Sequence, residues 1–198
     1  IAIDLNQPPA KLISLDELNV DAPSVPDSLR SALVAIVGAE FVKDYSLDRV
    51  VHAYGKSLRD LLRIRRGDLG RLPDVVVYPV DENQVASVVA AALEANAVLI
   101  PFGGGTNISG SLEARRDESR PVISLDLGRL NRVLEIDETS HLARVQAGVL
   151  GPNLDTQLGA RGFTLGHFPD SFNNSTLGGW IATRSSGMQS DKYGDIAD

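Results

Sequence analysis

The chain has 198 residues, of which 43% are hydrophobic and 23% are charged. This composition is typical of a soluble globular protein, and the length fits one domain of common size, or one and a part. The absence of cysteine excludes disulfides and thiolate metal sites. A net charge of -7 argues against non-specific binding to nucleic acid. No apolar run approaches the roughly 20 residues that span a bilayer.

The N-terminal part predicts an irregular segment and two short helices. Residues 1–26 favour an extended lead-in. Residues 1–9 lack the basic start and apolar core of a secretion signal, so we expect a cytoplasmic protein. A helix runs from a cap at Asp27 or Ser28 to Val37, and a second helix covers 58–64. The arginines around the second helix form either a solvated helix end or a contact for an anion or a partner. These arginines are Arg59, Arg63, Arg65, Arg66 and Arg71.

Residues 75–100 predict a βαβ unit. Val75–Tyr78 is an apolar, β-branched run and indicates a buried strand. Asp81 is a suitable cap for a helix, and Val98–Ile100 predicts a second strand that Pro101 ends. Two strands joined by a helix are expected to be parallel.

A meander of strands is predicted to follow. Val122–Leu125 and Val133–Ile136 are apolar runs, and His141–Ala147 alternates as a half-buried strand does. Residues 137–140 suit a hairpin turn, and 154–158 suit a short helix. This order of elements predicts an α+β fold and not a doubly wound α/β sheet.

The segment Pro101–Asn107, called the glycine loop below, is the first candidate ligand site because it directly follows a strand. Glycines 103–105 lack Cβ atoms, so the backbone can adopt positive φ and approach a ligand closely. Successive N–H groups of such a loop bind an anion, and Thr106 and Asn107 add a hydroxyl and an amide. The alternative interpretation is a plain glycine-rich turn.

Two later segments are the second and third candidates. Residues 166–180 concentrate small hydroxyl and amide side chains, which indicates either a ligand loop or the capped turns of a surface loop. In residues 183–188, Arg184 is suited to bind a phosphate or a carboxylate, although a lone arginine is also commonly solvated.

The sequence does not support other nucleotide, hydrolase or metal sites. Ile108 occupies the third glycine position of a Rossmann loop, and Val50 replaces the first glycine of a P-loop that would end at Gly55-Lys56-Ser57. There is no Gly-x-Ser-x-Gly elbow of a serine hydrolase. The histidines lack the spacing of metal ligands, so we expect no metal site. They are His52, His141 and His167.

Together, the three candidate segments resemble the FAD-binding domain of the vanillyl-alcohol-oxidase superfamily, which has the PCMH-type fold. Within it, the resemblance is strongest to the alkylglycerone-phosphate synthases (alkyl-dihydroxyacetone-phosphate synthases) and their bacterial relatives. The most specific motifs are Gly166-His167-Phe168-Pro169-Asp170-Ser171 and Thr183-Arg184-Ser185-Ser186-Gly187-Met188. The resemblance covers residues 45–198 and implies a βαβ unit plus a mixed sheet with flanking helices.

The resemblance implies that the ligand is FAD. Covalent members attach the flavin to a histidine of the glycine loop, whereas this chain has Thr106 there, so we expect non-covalent FAD. His167 matches a family histidine that lies near the flavin and is linked to catalysis; the alternative is a structural loop histidine. The implied FAD contacts are Pro101, Phe102, Gly103, Gly104, Gly105, Thr106, Asn107, Asp170, Ser171, Phe172, Asn173, Asn174, Ser175, Thr176, Thr183, Arg184, Ser185 and Ser186.

The reaction implied by the resemblance exchanges the acyl group of an acylated dihydroxyacetone phosphate for a fatty alcohol and gives an ether-lipid precursor. The flavin then acts as electrophile and electron sink without net redox change. An FAD-dependent dehydrogenase or oxidase of 2-hydroxy acids, such as D-lactate or glycolate, is the alternative because it shares the FAD domain. A non-catalytic nucleotide-binding module is a second alternative.

For domain organisation, we expect a lead-in with helices in residues 1–70 and the FAD-binding domain in residues 71–198. In the family this domain continues further and a substrate-binding cap domain follows. We therefore expect an N-terminal fragment that is incomplete at its C-terminus and inactive alone. For the full-length protein we expect a small-molecule or lipid substrate, a homodimer, and peripheral membrane contact through regions that the chain lacks.

Overall fold

The computed structural model describes residues 13–197, and its larger sheet has four strands in the spatial order β1-β2-β4-β3. β1 is antiparallel to β2, whereas β2 and β3 are both parallel to β4, which lies between them. A separate hairpin pairs β5 with β6. The strands are β1 Val42–Lys43, β2 Val75–Val77, β3 Val98–Phe102, β4 Val122–Asp126, β5 Val133–Asp137 and β6 Leu142–Val145.

Helices bury the sheet and complete the α+β fold that the sequence predicts. α1 packs against α4, and Leu33, Val88 and Ile123 are fully buried in the core that these helices share with the sheet. No helix in residues 13–197 is long and apolar enough to cross a membrane. The helices are α1 Asp27–Val37, α2 Ser46–Val51, α3 Leu58–Arg65, α4 Glu82–Glu94, α5 Gly151–Gly159, α6 Leu177–Thr183 and α7 Ser190–Tyr193, with short 3-10 helices at Leu15–Glu17 and Ala39–Phe41.

The start of α1 differs from the prediction. The capping residue is Pro26, so the predicted cap at Asp27 or Ser28 is wrong. The proline ring holds φ at -56° with extended ψ, and the Asp27 carboxylate then lies in the first turn, at the positive end of the helix. The predicted end at Val37 is confirmed, because Gly38 follows with a φ of 91°. Of the predicted lead-in, residues 1–12 lie outside the described residues.

The predicted βαβ unit is confirmed in β2, α4 and β3, whose strands are parallel. Asp81 caps α4 by accepting a hydrogen bond from the Gln84 N–H at 2.8 Å. The prediction that Pro101 ends the strand is wrong, since β3 continues to Phe102. β3 is an edge strand of the described sheet, so the N–H that proline lacks costs no bond to a further strand.

The predicted hairpin is confirmed, and its turn is held by Asp137, whose carboxylate accepts hydrogen bonds from the N–H groups of Thr139 and Ser140. The prediction that its second strand is half-buried is wrong, because Leu142 is 68% exposed and most of β6 is exposed with it. α5 packs against β5, and no further strand of the described chain pairs with the hairpin. Only the end of β6 reaches a core, since Val145 packs against the cluster that contains Leu154 and Trp180, whereas Leu142 to Arg144 are exposed.

The arginines of α3 are partly neutralised within the fold. Arg59 and Arg63 both pair with Glu113, and the Arg63 side chain is only 11% exposed. Arg65 and Arg66 are exposed. A solvated helix end therefore describes the last two arginines, whereas the first two hold α3 against the segment that contains Glu113.

Asp74 joins three separate parts of the chain and is completely buried. Its carboxylate accepts hydrogen bonds from the backbone N–H of Ser24 at 2.9 Å and of Val122 at 2.8 Å. The Arg71 guanidinium donates two further bonds, from Nη1 at 3.0 Å and from Nη2 at 2.5 Å. The buried charge is thus matched by donors from the lead-in, from Arg71 and from the start of β4.

Replacing Asp74 by alanine is expected to lower the free energy of unfolding by about 3–5 kcal/mol, because Arg71 and two backbone N–H groups lose their buried acceptor. Urea unfolding followed by circular dichroism measures the change. Asp117→Ala is the matched control, since Asp117 pairs with Arg115 on the surface and should leave stability nearly unchanged. Equal losses in the two variants would contradict the importance given to Asp74.

Candidate functional site

The glycine loop touches the second candidate segment at residues 174–176. A Cβ atom added to Gly103 would lie 2.4 Å from the Thr176 hydroxyl oxygen. One added to Gly104 would lie 1.8 Å from the Asn174 carbonyl oxygen. Side-chain carbons do not approach oxygen so closely, and therefore only glycine permits this contact at either position.

The backbone of the glycine loop offers hydrogen-bond donors to a ligand. Gly105 has a φ of 63°, a conformation that favours glycine. Within residues 13–197, no acceptor takes a hydrogen bond from the N–H groups of Gly103, Gly104 or Gly105. Successive free N–H groups form a partly positive surface that suits an anion such as a pyrophosphate. The residues present therefore fit the phosphate part of FAD.

Residues 52–56 contact both ends of the glycine loop. The His52 ring lies 4.2 Å from the Phe102 ring, centroid to centroid, at the start of the loop. At the other end, the Lys56 N–H donates to the Asn107 carbonyl at 2.8 Å, and a Cβ on Gly55 would lie 2.0 Å from the same oxygen. The P-loop template identifies nothing in this segment. Gly55 was the residue that could have indicated the contact with the glycine loop, since a glycine outside a tight turn can mark a close approach of two backbones.

His52 is held between two acceptors below the loop. Its Nε2 lies 2.9 Å from a carboxylate oxygen of Asp126, and its Nδ1 lies 2.7 Å from the carbonyl oxygen of Asp48. Because Asp126 ends β4 and His52 follows α2, this pair fixes that helix to the strand beside β3.

α6 joins the second candidate segment to the third. Thr176 caps its start, where the hydroxyl oxygen accepts a hydrogen bond from the Gly179 N–H at 3.3 Å. Arg184 ends it with a φ of 51°, which is uncommon for a residue other than glycine, and is exposed. Between them, the buried Trp180 donates from its indole N–H to Ser175 Oγ at 2.6 Å.

His167 packs against Trp180, with 5.2 Å between the ring centroids, and is only 6% exposed. Its Nε2 lies 2.8 Å from Ser185 Oγ. Its Nδ1 is buried and has no hydrogen-bond partner in the described part of the chain. Burial lowers the pKa of His167, an effect that Asp195 partly offsets, so the fold favours the neutral ring.

The structure thus places the predicted site residues in two groups that Trp180 connects. One group is the glycine loop with residues 174–176, and the other is His167 with Ser185. No hydrogen bond among the described residues joins the glycine loop to residues 183–186. Their contacts with FAD stay predictions. The exposed members are Pro101, Asp170, Asn173, Asn174, Thr183, Arg184 and Ser186, whereas Phe102, Gly105, Ser175 and Thr176 are buried.

Comparison with known proteins gives a consistent set of relatives. Residues 73–198 match the family model described as an FAD binding domain. The alkyldihydroxyacetonephosphate synthase of Dictyostelium discoideum is 44% identical over 194 residues, which are 98% of this chain and 31% of that protein. The glycolate oxidase subunit GlcD of Bacillus subtilis is 26% identical over 170 residues, 86% of this chain and 33% of that protein.

A solved structure of an alkyldihydroxyacetonephosphate synthase superposes with a TM-score of 0.92 at 43% identity. The match covers 99% of this chain and 36% of that chain. The chain therefore spans about a third of the length of these relatives.

Gly104→Ala is expected to lower the free energy of unfolding by about 1–3 kcal/mol, because the new Cβ must push the loop away from Asn174. Thermal unfolding measures the loss. Gly159→Ala is the control: this glycine lies at the end of α5, and a Cβ added there would meet no atom within 4 Å, so stability should stay equal or rise slightly. A Gly104→Ala variant as stable as the control would show that the close contact does not exist in solution.

The stability of the protein is expected to depend on pH through His167. Because burial lowers the pKa of the folded state, the unfolded chain binds a proton that the folded chain does not. Stability should therefore rise with pH from the lowered pKa up to the ordinary value of about 6.5 and level off above it. Urea unfolding across this range should show a smaller rise for His167→Gln than for the wild type.

The matched control for that measurement is His141→Gln, because His141 is exposed in the hairpin. It is expected to keep the wild-type rise of stability with pH. If His167→Gln keeps the full rise as well, burial does not hold the His167 ring neutral.

Proposed function

The chain belongs to the family of FAD binding domains, and we propose that it is the FAD-binding part of an enzyme that exchanges the acyl group of an acylated dihydroxyacetone phosphate for a fatty alcohol. The synthase from Dictyostelium discoideum supports this reaction, because its similarity extends over 98% of the chain. The observation that carries the cofactor site is the contact of the glycine loop with residues 174–176 beside free backbone donors.

The chain's own groups suit the different parts of FAD. The N–H groups of residues 103–105 are free to donate to the pyrophosphate, whose negative charge they partly offset. The exposed amides of Asn173 and Asn174 and the exposed hydroxyls of Thr183 and Ser186 add donors, and Arg184 adds a positive charge. Thr106 provides no nucleophilic ring nitrogen, so the attachment is non-covalent.

The catalytic group that the chain contributes is His167. FAD, when bound, supplies an electrophilic ring system that accepts an electron pair. A neutral imidazole can accept a proton from a substrate near neutral pH, and the lowered pKa of His167 favours this form. The Trp180 ring and the Ser185 hydroxyl hold the imidazole in one orientation.

The full-length protein, loaded with FAD, is expected to convert acylated dihydroxyacetone phosphate and a labelled fatty alcohol into a labelled ether with release of the fatty acid. Thin-layer chromatography of the extracted lipids measures this exchange. His167→Gln should lower kcat at least about 100-fold, because a general base commonly contributes that much. His141→Gln is the matched control and should keep the rate. Absence of any exchange by protein that carries FAD would refute the reaction.

A second candidate is an FAD-dependent dehydrogenase or oxidase of 2-hydroxy acids, which the similarity to the glycolate oxidase subunit favours. Such an enzyme removes two electrons from its substrate. Adding glycolate or D-lactate without oxygen should then bleach the flavin absorbance. The proposed synthase keeps its flavin spectrum with these acids, so one anaerobic titration separates the two candidates.

A further inference from the structure

Ser185 makes a hydrogen bond to His167 that distinguishes the two nitrogens of the ring. Its Oγ lies 2.8 Å from Nε2, and the serine is half-buried. The other nitrogen, Nδ1, is buried and lacks a hydrogen-bond partner anywhere in residues 13–197. Nε2 is therefore held by Ser185, whereas Nδ1 has no partner among these residues and could bond to a group of a ligand.

This difference selects one tautomer of the neutral ring. With hydrogen on Nδ1, a buried N–H group would lack an acceptor, which is rarer in proteins than an acceptor that lacks a donor. With hydrogen on Nε2, the N–H donates to Ser185 Oγ, and only a lone pair at Nδ1 stays without a partner. Hydrogen on Nε2 is therefore the favoured tautomer, because it leaves only an acceptor without a hydrogen-bond partner.

The surroundings hold the ring in place, and Nδ1 lies close to Gly187. Trp180 packs against the imidazole and is itself fixed by its bond to Ser175. A Cβ added to Gly187 would lie 3.3 Å from Nδ1, so this buried nitrogen lies beside a residue that has no side chain. Burial, which keeps the ring neutral, preserves the lone pair.

We propose that Ser185 is a positioning residue that accepts the Nε2 hydrogen of His167 and thereby makes Nδ1 the nitrogen that receives the substrate's proton. The inference rests on the proposed catalytic role of His167, and it assigns the Ser185 hydroxyl to the imidazole instead of to FAD. An incoming alcohol must lose its hydroxyl proton to form an ether bond. That proton moves to Nδ1, and the O–H electron pair stays on the alcohol oxygen.

Nitrogen-15 NMR of the labelled protein, as purified and without substrate, reads the tautomer directly. His167→Gln identifies the His167 signals. The wild type is expected to carry hydrogen on Nε2, and Ser185→Ala should give a mixture of the two tautomers. Ser185→Thr keeps the hydroxyl and should restore the wild-type pattern. Ser87→Ala, on the surface of α4, is the control and should leave the His167 signals unchanged.

Turnover provides the second readout. Ser185→Ala should lower kcat about tenfold with little change in KM, since a wrong tautomer of a catalytic histidine is costly, and Ser185→Thr should recover most of the rate. A wild-type ring with hydrogen on Nδ1, or an unchanged tautomer in Ser185→Ala, would overturn the proposal. The spectrum needs no turnover, so failure of the proposed reaction leaves this result readable by itself.

Discussion

The backbones of Gly104 and Asn174 lie so close together that a Cβ atom on Gly104 would not fit between them. The arrangement of the site depends on this contact. The glycine loop leaves the sheet at the end of β3, and α6 starts just after Thr176. This contact therefore helps to fix the position of α6 relative to the sheet, together with the hydrogen bonds from the N–H groups of Leu177 and Gly178 to the carbonyls of Val149 and Ala147. Trp180 then carries the constraint on to His167, because it is bonded to Ser175 and packs against the imidazole.

The site shows how an acidic protein can hold an anion. With a net charge of -7, the chain does not attract phosphates by its overall field. Arg59 and Arg63 are already committed to Glu113. The N–H groups of residues 103–105, which donate no hydrogen bond in the described part of the chain, can supply local positive potential without any cationic side chain. Arg184 adds a formal charge beside the group of His167.

Short-range sequence patterns decided which parts of the fold and of the site could be predicted. The βαβ unit, the hairpin and the glycine loop each follow from short stretches of sequence, and the comparisons and the structure confirm the FAD-binding fold. The position of β4 between β2 and β3 was not predictable, because strand order depends on contacts between distant segments. The support of the loop by His52 and Gly55 was missed for the same reason, since their partners lie about 50 residues away along the chain.

Trp180 is the sole tryptophan in these 198 residues, and it lies between the two groups of the site. Its indole is shielded from water, is hydrogen-bonded to the first group and packs against His167 of the second. The emission of this part of the protein thus originates at the site itself, and flavin absorbs light in the range where indole emits. The fluorescence of Trp180 therefore reports on three events without a label attached to the chain: cofactor loading, disturbance of the loop contact and rotation of the neighbouring imidazole.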